Sequence, residues 1–279
     1  MRRFYGILFS SIASISIAQS AYSATYDLVL SLLIDVSGSI SDQNYILQYD
    51  GYAAAFRDTK IQEAILGGDA GQIAVNVIEF ADFDKQRVRF TTLDTEGAID
   101  DFADLLDSFT QRSAIGRTTD IDDGIEGARN SIASFLIDNV TTRTVIDVSG
   151  DGEADQIGNT RTQRDLSCGT SESPGPIDAI NGIAIGGTRL ETFYQENVIC
   201  GEGSFVISTL TFDGFATAIS EKLLLEIGGT PDDPEEPEPP MSAVPIPPGG
   251  AMAASAFIGL GLVGSWKRRR KNNSGSIAR

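Results

Sequence analysis

The chain has 279 residues, with 21 Lys and Arg against 39 Asp and Glu, a formal net charge of −18, two cysteines and no histidine. Without histidine there is no Ser-His-Asp triad, no Cys-His nucleophile, no imidazole base and no His-ligated zinc or haem. Two cysteines are too few for a four-cysteine zinc site or a cysteine-ligated iron–sulfur cluster, so any chemistry rests on carboxylates, hydroxyls, backbone groups or a hard metal ion.

Residues 1–23 read as a secretory signal peptide. Arg2 and Arg3 give the basic start, an apolar run follows from Ile7 to Ala18, and small residues cluster at Ala21, Ser23 and Ala24. A short N-terminal membrane anchor is the alternative. Export would place Cys168 and Cys200 in an oxidising compartment, where a disulfide between them is expected. It would be worth about 3 kcal/mol in the loop-entropy picture.

Residues 24–228 form one alternating α/β domain. The run 26–34 is almost wholly apolar, as in a strand buried on both sheet faces. A helix over 41–59 follows, with Ser41 as N-cap and Tyr45, Tyr49, Tyr52 and Phe56 at core spacing. Strands over 72–81 and 86–93, joined by the short 82–85 turn, predict an antiparallel hairpin. Helices are expected over 95–109, capped by Thr95, and over 119–137, with a strand over 143–148 after them. The stretch 155–176 reads as irregular. A strand over 180–185, a helix over 190–197, a strand over 204–210 and a closing helix over 212–228 complete the domain. Strands separated by helices imply a doubly wound, mostly parallel sheet with helices on both faces and one antiparallel edge strand.

The C-terminal end has three parts. Residues 229–249 are an acidic, proline-rich linker. Residues 250–266 are apolar and, with the preceding 247–249, approach the length of about 17 residues that spans a bilayer. Residues 267–279 open with the basic cluster Lys267 to Lys271, which would hold the tail in the cytoplasm and leave the domain outside. Proline linker, small-residue span and arginine-rich stop resemble the PEP-CTERM class of bacterial sorting tails, and Val244-Pro245-Ile246-Pro247-Pro248 is similar to its Val-Pro-Leu-Pro-Ala variant. The resemblance implies processing by an exosortase-type enzyme and release to the cell surface. A plain single-pass inner-membrane anchor is the other reading.

All 39 acidic residues lie between Asp27 and Glu238, and eight of the basic ones sit in the two termini. The stretch between is therefore strongly acidic, which repels nucleic acid and suits divalent cations or basic partners.

Ligand sites in such sheets lie at the carboxyl ends of the strands. Two strand ends stand out, Asp35-Val36-Ser37-Gly38-Ser39 and Asp147-Val148-Ser149-Gly150-Asp151, with Gly116-Arg117-Thr118-Thr119-Asp120 leading into a helix between them. Only oxygen ligands are on offer, which selects Mg²⁺, Mn²⁺ or Ca²⁺ over zinc or copper. Asp35, Ser37, Ser39, Thr118 and Asp151 resemble, in order and on the same elements, the metal-ion-dependent adhesion site of von Willebrand factor type A domains. The resemblance runs from about residue 26 to 228. It implies that Ser37, Ser39 and Thr118 ligate the metal, Mg²⁺ in the first instance, while Asp35 and Asp151 act through water. Thr119 is the alternative to Thr118. It further implies a binding module for a protein or matrix partner that offers a carboxylate.

Three other readings remain beside it. The acids Asp120, Asp122, Asp123 and Glu126 suit either a second ion or a solvated helix N-terminus. The triplet Asp151, Glu153 and Asp155 is spaced like a calcium loop but lacks the expected sixth-position glycine. Asp35 would be the nucleophile of a metal-dependent phosphatase, although Ser37 stands where that chemistry wants a second acid.

Overall fold

The structure is a computed structural model that describes residues 23–228 apart from Ser171. The expected signal peptide, acidic linker, membrane or sorting segment and basic tail lie outside the described residues. Among the described residues, no helix is long and apolar enough to cross a membrane.

Among the described residues, nine strands and seven α-helices are interspersed along the chain. Strand β1 (Ala24–Tyr26) pairs in parallel with β5 (Asn139–Thr141) as a separate two-stranded ribbon. The main sheet is built on β2 (Leu28–Asp35), β3 (Ile73–Phe80), β6 (Thr144–Gly150) and β7 (Ala179–Ile185), all wholly buried. Its order is β4-β3-β2-β6-β7, with β4 (Asp84–Leu93) antiparallel at one edge. The outer side of β7 is shared: β8 (Cys200–Gly201) pairs antiparallel with its first half and β9 (Val206–Thr209) parallel with its second. The doubly wound architecture with an antiparallel edge strand is the one the sequence implies.

Alternation along β2 divides the core. Leu28, Leu30, Leu32 and Ile34 face a layer made by α1 (Asp42–Phe56), α2 (Thr59–Leu66), α3 (Glu96–Asp107) and α7 (Phe215–Ile227). Val29 and Leu33 face the other layer, which includes α4 (Ile121–Phe135) and α6 (Thr188–Asn197). At about 25 cal/mol per Å² of apolar area, two such layers are the principal favourable term of the fold. The Ser41 hydroxyl accepts from Asn44 N and the Thr95 hydroxyl from Ala98 N, so both expected N-caps are made.

Two expectations are corrected. The first helix stops at Phe56, and Asp58 caps a second one, α2, by accepting from Lys60 N. The stretch 155–176 is not irregular throughout: α5 (Ile157–Cys168) occupies its first half. Only Thr160 and Ser167 of that helix are buried, so it has no apolar stripe to betray it. It is held instead by Arg129 of α4, which donates to Gln163 O and Ser167 Oγ, and by the disulfide from Cys168 at its end to Cys200 of β8.

Candidate metal centre

Parallel pairing of β2 with β6, in register from Val29 opposite Thr144 to Ile34 opposite Ser149, puts the two candidate loops side by side at the carboxyl edge of the sheet. Asp35 ends β2 and is fully buried; its Oδ1 accepts from Ser37 N at 2.8 Å, which closes the turn. Ser37 Oγ lies 3.1 Å from Ser39 Oγ, and Ser39 Oγ donates to Asp151 Oδ1 at 2.5 Å. Asp35, Ser37, Ser39 and Asp151 are therefore one continuous polar chain across two loops that are 112 residues apart at their closing bond.

Neither carboxylate has a basic partner among the described residues. The second oxygen of Asp35 is buried without any hydrogen bond. Burial pushes the Asp35 carboxyl up to about 7, against the pull of the Ser37 bonds and with a further push from Asp151. Burial also raises Asp151, and the Ser39 hydroxyl opposes it. A buried carboxylate without a compensating cation is costly. These donors suit a hard divalent ion, two hydroxyls and two carboxylates of a hydrated oxygen shell. Among the described residues, this site included, no three acidic or cysteine side chains gather into a cluster able to hold a metal, so any ion here must also use the serine hydroxyls. Glu153 pairs with Arg189 and Asp155 accepts from Thr119 N, so the calcium-loop spacing does not assemble into a site.

The structure does not bring the Thr118 hydroxyl into this chain. That hydroxyl lies 2.6 Å from Asp82 Oδ1, which also accepts from the backbone N–H groups of Arg117 and Thr118 at 2.6 and 2.7 Å. These three donors lower the Asp82 carboxyl below its ordinary value. Gly116 makes the anchor feasible: its φ is +108°, and a Cβ there would fall 1.9 Å from Asp82 Cγ. The neighbouring Thr119 turns the other way, with Oγ1 3.2 Å from where a Cβ of Gly152 would stand, beside Asp151. Of the two threonines, Thr119 is the one whose side chain lies against Gly152, the residue after Asp151.

Residues not singled out from the sequence hold these loops. Arg112 donates to Ser37 O and Ile40 O, and Gly38 N donates to Arg117 O, tying the serine loop to the 112–118 segment. Glu79 is fully buried on β3 and accepts from the hydroxyls of Tyr45 and Tyr49 and from Ser113 N, each at 2.8 Å. A glutamate within the apolar run of β3 is the one signal that could have flagged this network. Tyr194 on α6 also reaches the site, and its hydroxyl is buried without a partner.

Solved structures with the same fold include proximal thread matrix protein 1 from the mussel byssus. A form of it with a zinc-occupied MIDAS motif aligns at TM-score 0.51 and 20% identity, covering 74% of this chain and 47% of that one. A second crystal form aligns at 0.50 and 16%, covering 74% and 49%. A von Willebrand factor type A protein from Catenulispora acidiphila aligns at 0.49 and 14%, covering 73% and 43%. The chain spans about half the length of these structures. No curated protein matches its sequence. Over residues 25–231 the chain matches the model of the family described as "Protein of unknown function (DUF1194)", and it belongs to that family.

Proposed function

We propose that this chain is a binding module that grips a protein or matrix partner through a divalent cation. One observation carries the reading: a wholly buried Asp35, with one oxygen unpartnered, stands behind a Ser37–Ser39–Asp151 chain that no basic side chain among the described residues neutralises. Ser37, Ser39 and Asp151 would hold the ion, Asp35 would act behind them, and a threonine from 118–119 would complete the set. When bound, the ion supplies a Lewis-acid position that accepts a carboxylate from the partner. The fold shared with a MIDAS-bearing matrix protein supports this assignment. Mg²⁺ is the expected occupant, with Mn²⁺ or Ca²⁺ as substitutes.

The phosphatase alternative is the weaker one. A nucleophilic carboxylate must reach its substrate, and Asp35 is fully enclosed, whereas a carboxylate that acts on a bound ion need not be exposed. The signal peptide and sorting tail read from the sequence support an exported chain, held in the inner membrane with its domain outside or passed on to the surface by an exosortase.

Calorimetric titration of Mg²⁺ and Mn²⁺ into the purified chain tests the proposal, with Asp151→Ala run beside the wild type. Saturable binding that Asp151→Ala abolishes is the expected result. A wild-type chain that binds neither ion at millimolar concentration refutes it.

A further inference from the structure

Asp35 and Tyr194 share an unusual position. Gly150, the last residue of β6, has no side chain, and the space its Cβ would take is bordered by both groups: Tyr194 Oη lies 2.7 Å and Asp35 Oδ2 2.8 Å from that point. Both oxygens are buried, and neither has a hydrogen-bond partner. Two orphaned polar atoms, one a donor and one an acceptor, each unfavourable alone, therefore border the same small space at Gly150, which a single water or an adjustment of the two side chains could bridge.

The other environment of each group leaves few alternatives. Asp35 Oδ1 is already bound by Ser37 N, and the Asp35 carbonyl accepts from Gln48 Nε2, so Oδ2 is the free acceptor. The Tyr194 ring is fixed in the core layer with Leu190, Phe193 and Val198, so its hydroxyl can adjust but cannot leave.

We infer that Tyr194 is a positioning residue of the metal centre: its hydroxyl donates to Asp35 Oδ2 when a cation is seated and so holds the charged carboxylate in its binding orientation. This rests on the metal-binding reading above. It brings helix α6 into a site otherwise built from loops, and it explains why β6 ends in glycine at the point where any side chain would separate the two groups.

The test is Tyr194→Phe in the full chain, which removes one oxygen and leaves the packing intact. Mg²⁺ affinity is measured by calorimetry and the melting temperature in EDTA. Tyrosine ultraviolet difference spectra are recorded on adding Mg²⁺ to the wild type and to the variant. The expected result is binding about tenfold weaker, the loss of a hydrogen bond to a charged group, with little change in the metal-free melting temperature. A wild-type tyrosine difference signal that the variant lacks is expected with it. Equal affinities with the same difference signal in both proteins would overturn the inference while leaving the metal site intact. Should the variant misfold, the wild-type spectrum decides: a tyrosine signal that follows metal saturation supports the contact, and its absence removes it. A wild type that binds no metal at all refutes the site itself, an outcome distinct from equal affinities.

Discussion

Asp35 and Asp147 stand on neighbouring strands of one sheet, both fully buried, and burial pushes both carboxyls up to about 7. Their surroundings differ in one respect. Lys222, also fully buried, reaches from α7 to within 2.7 Å of Asp147 Oδ1 and pairs with Glu226 as well, while Asn181 donates to Glu226 at 2.9 Å. Asp35 is met by Ser37 and by the Asp151 backbone, none of them charged groups of opposite sign. One acid is answered by a cation of the chain itself; the other has no basic partner among the described residues. The first arrangement ties the closing helix to the sheet. The second is the arrangement on which the proposed cation site rests.

The largest effect should come from breaking the answered side. Lys222→Met leaves two buried carboxylates without their cation and is expected to cost about 3–5 kcal/mol, read as a drop in the urea midpoint. Replacing all three groups together, with Lys222→Met, Asp147→Asn and Glu226→Gln, should recover much of that loss. If Lys222→Met alone is neutral, the triad is not a closed ion network and the contrast with Asp35 fails.

The next effect has the opposite sign. The folded value of Asp35 is raised above its unfolded value of 3.8, so between about pH 4 and 7 the folded state holds the extra proton. Stability of the metal-free chain therefore falls as pH rises through that window and levels off above about 7. Asp147 acts in the same direction, with Lys222 opposing its shift. Asp35→Asn should flatten part of the slope and stabilise the metal-free protein at pH 8 by roughly 2–4 kcal/mol, while abolishing Mg²⁺ binding. A variant that gains stability and loses the metal would identify an acid kept for binding rather than folding. Melting curves in EDTA from pH 4 to 8 check this, and loss of stability at pH 8 would contradict it.

The features legible in sequence were those written within one element. The apolar run before Asp35 marked the central strand and placed Asp35, Ser37 and Ser39 at its end, and Ser41 marked the start of α1. The Cys168–Cys200 pair follows from there being two cysteines in a chain whose sequence reads as exported. What escaped was written between elements. Helix α5 buries only two small polar residues and is stabilised by Arg129 from α4. Arg112, Glu79 and Tyr194 meet the site only because parallel register and helix packing bring distant segments together, and no local spacing announces them. Asp82 lay in a hairpin turn, where an aspartate has a sufficient local explanation.

The smallest expected effect separates the two threonines, and it refines the open side of the comparison. Thr118 is bound to Asp82 through both its hydroxyl and its N–H, so its side chain already has a structural task. Thr119 lies against Gly152 next to Asp151 and keeps its N–H on Asp155. Thr118→Val should therefore lower the melting temperature slightly, by removing the hydroxyl's bonds to the exposed Asp82 and Asp120 carboxylates, and leave Mg²⁺ affinity within about twofold, since the N–H bonds to Asp82 persist. Thr119→Val should leave the metal-free melting temperature nearly unchanged and weaken Mg²⁺ binding severalfold, because a ligand hydroxyl is lost where no fold-holding bond depends on it. The reverse pattern, with affinity lost at Thr118 and stability at Thr119, would mean that the 116–118 loop swings off Asp82 when a cation binds. The Asp82 anchor would then be the latch of the metal-free form, and Asp82→Asn would strengthen metal binding instead of leaving it untouched.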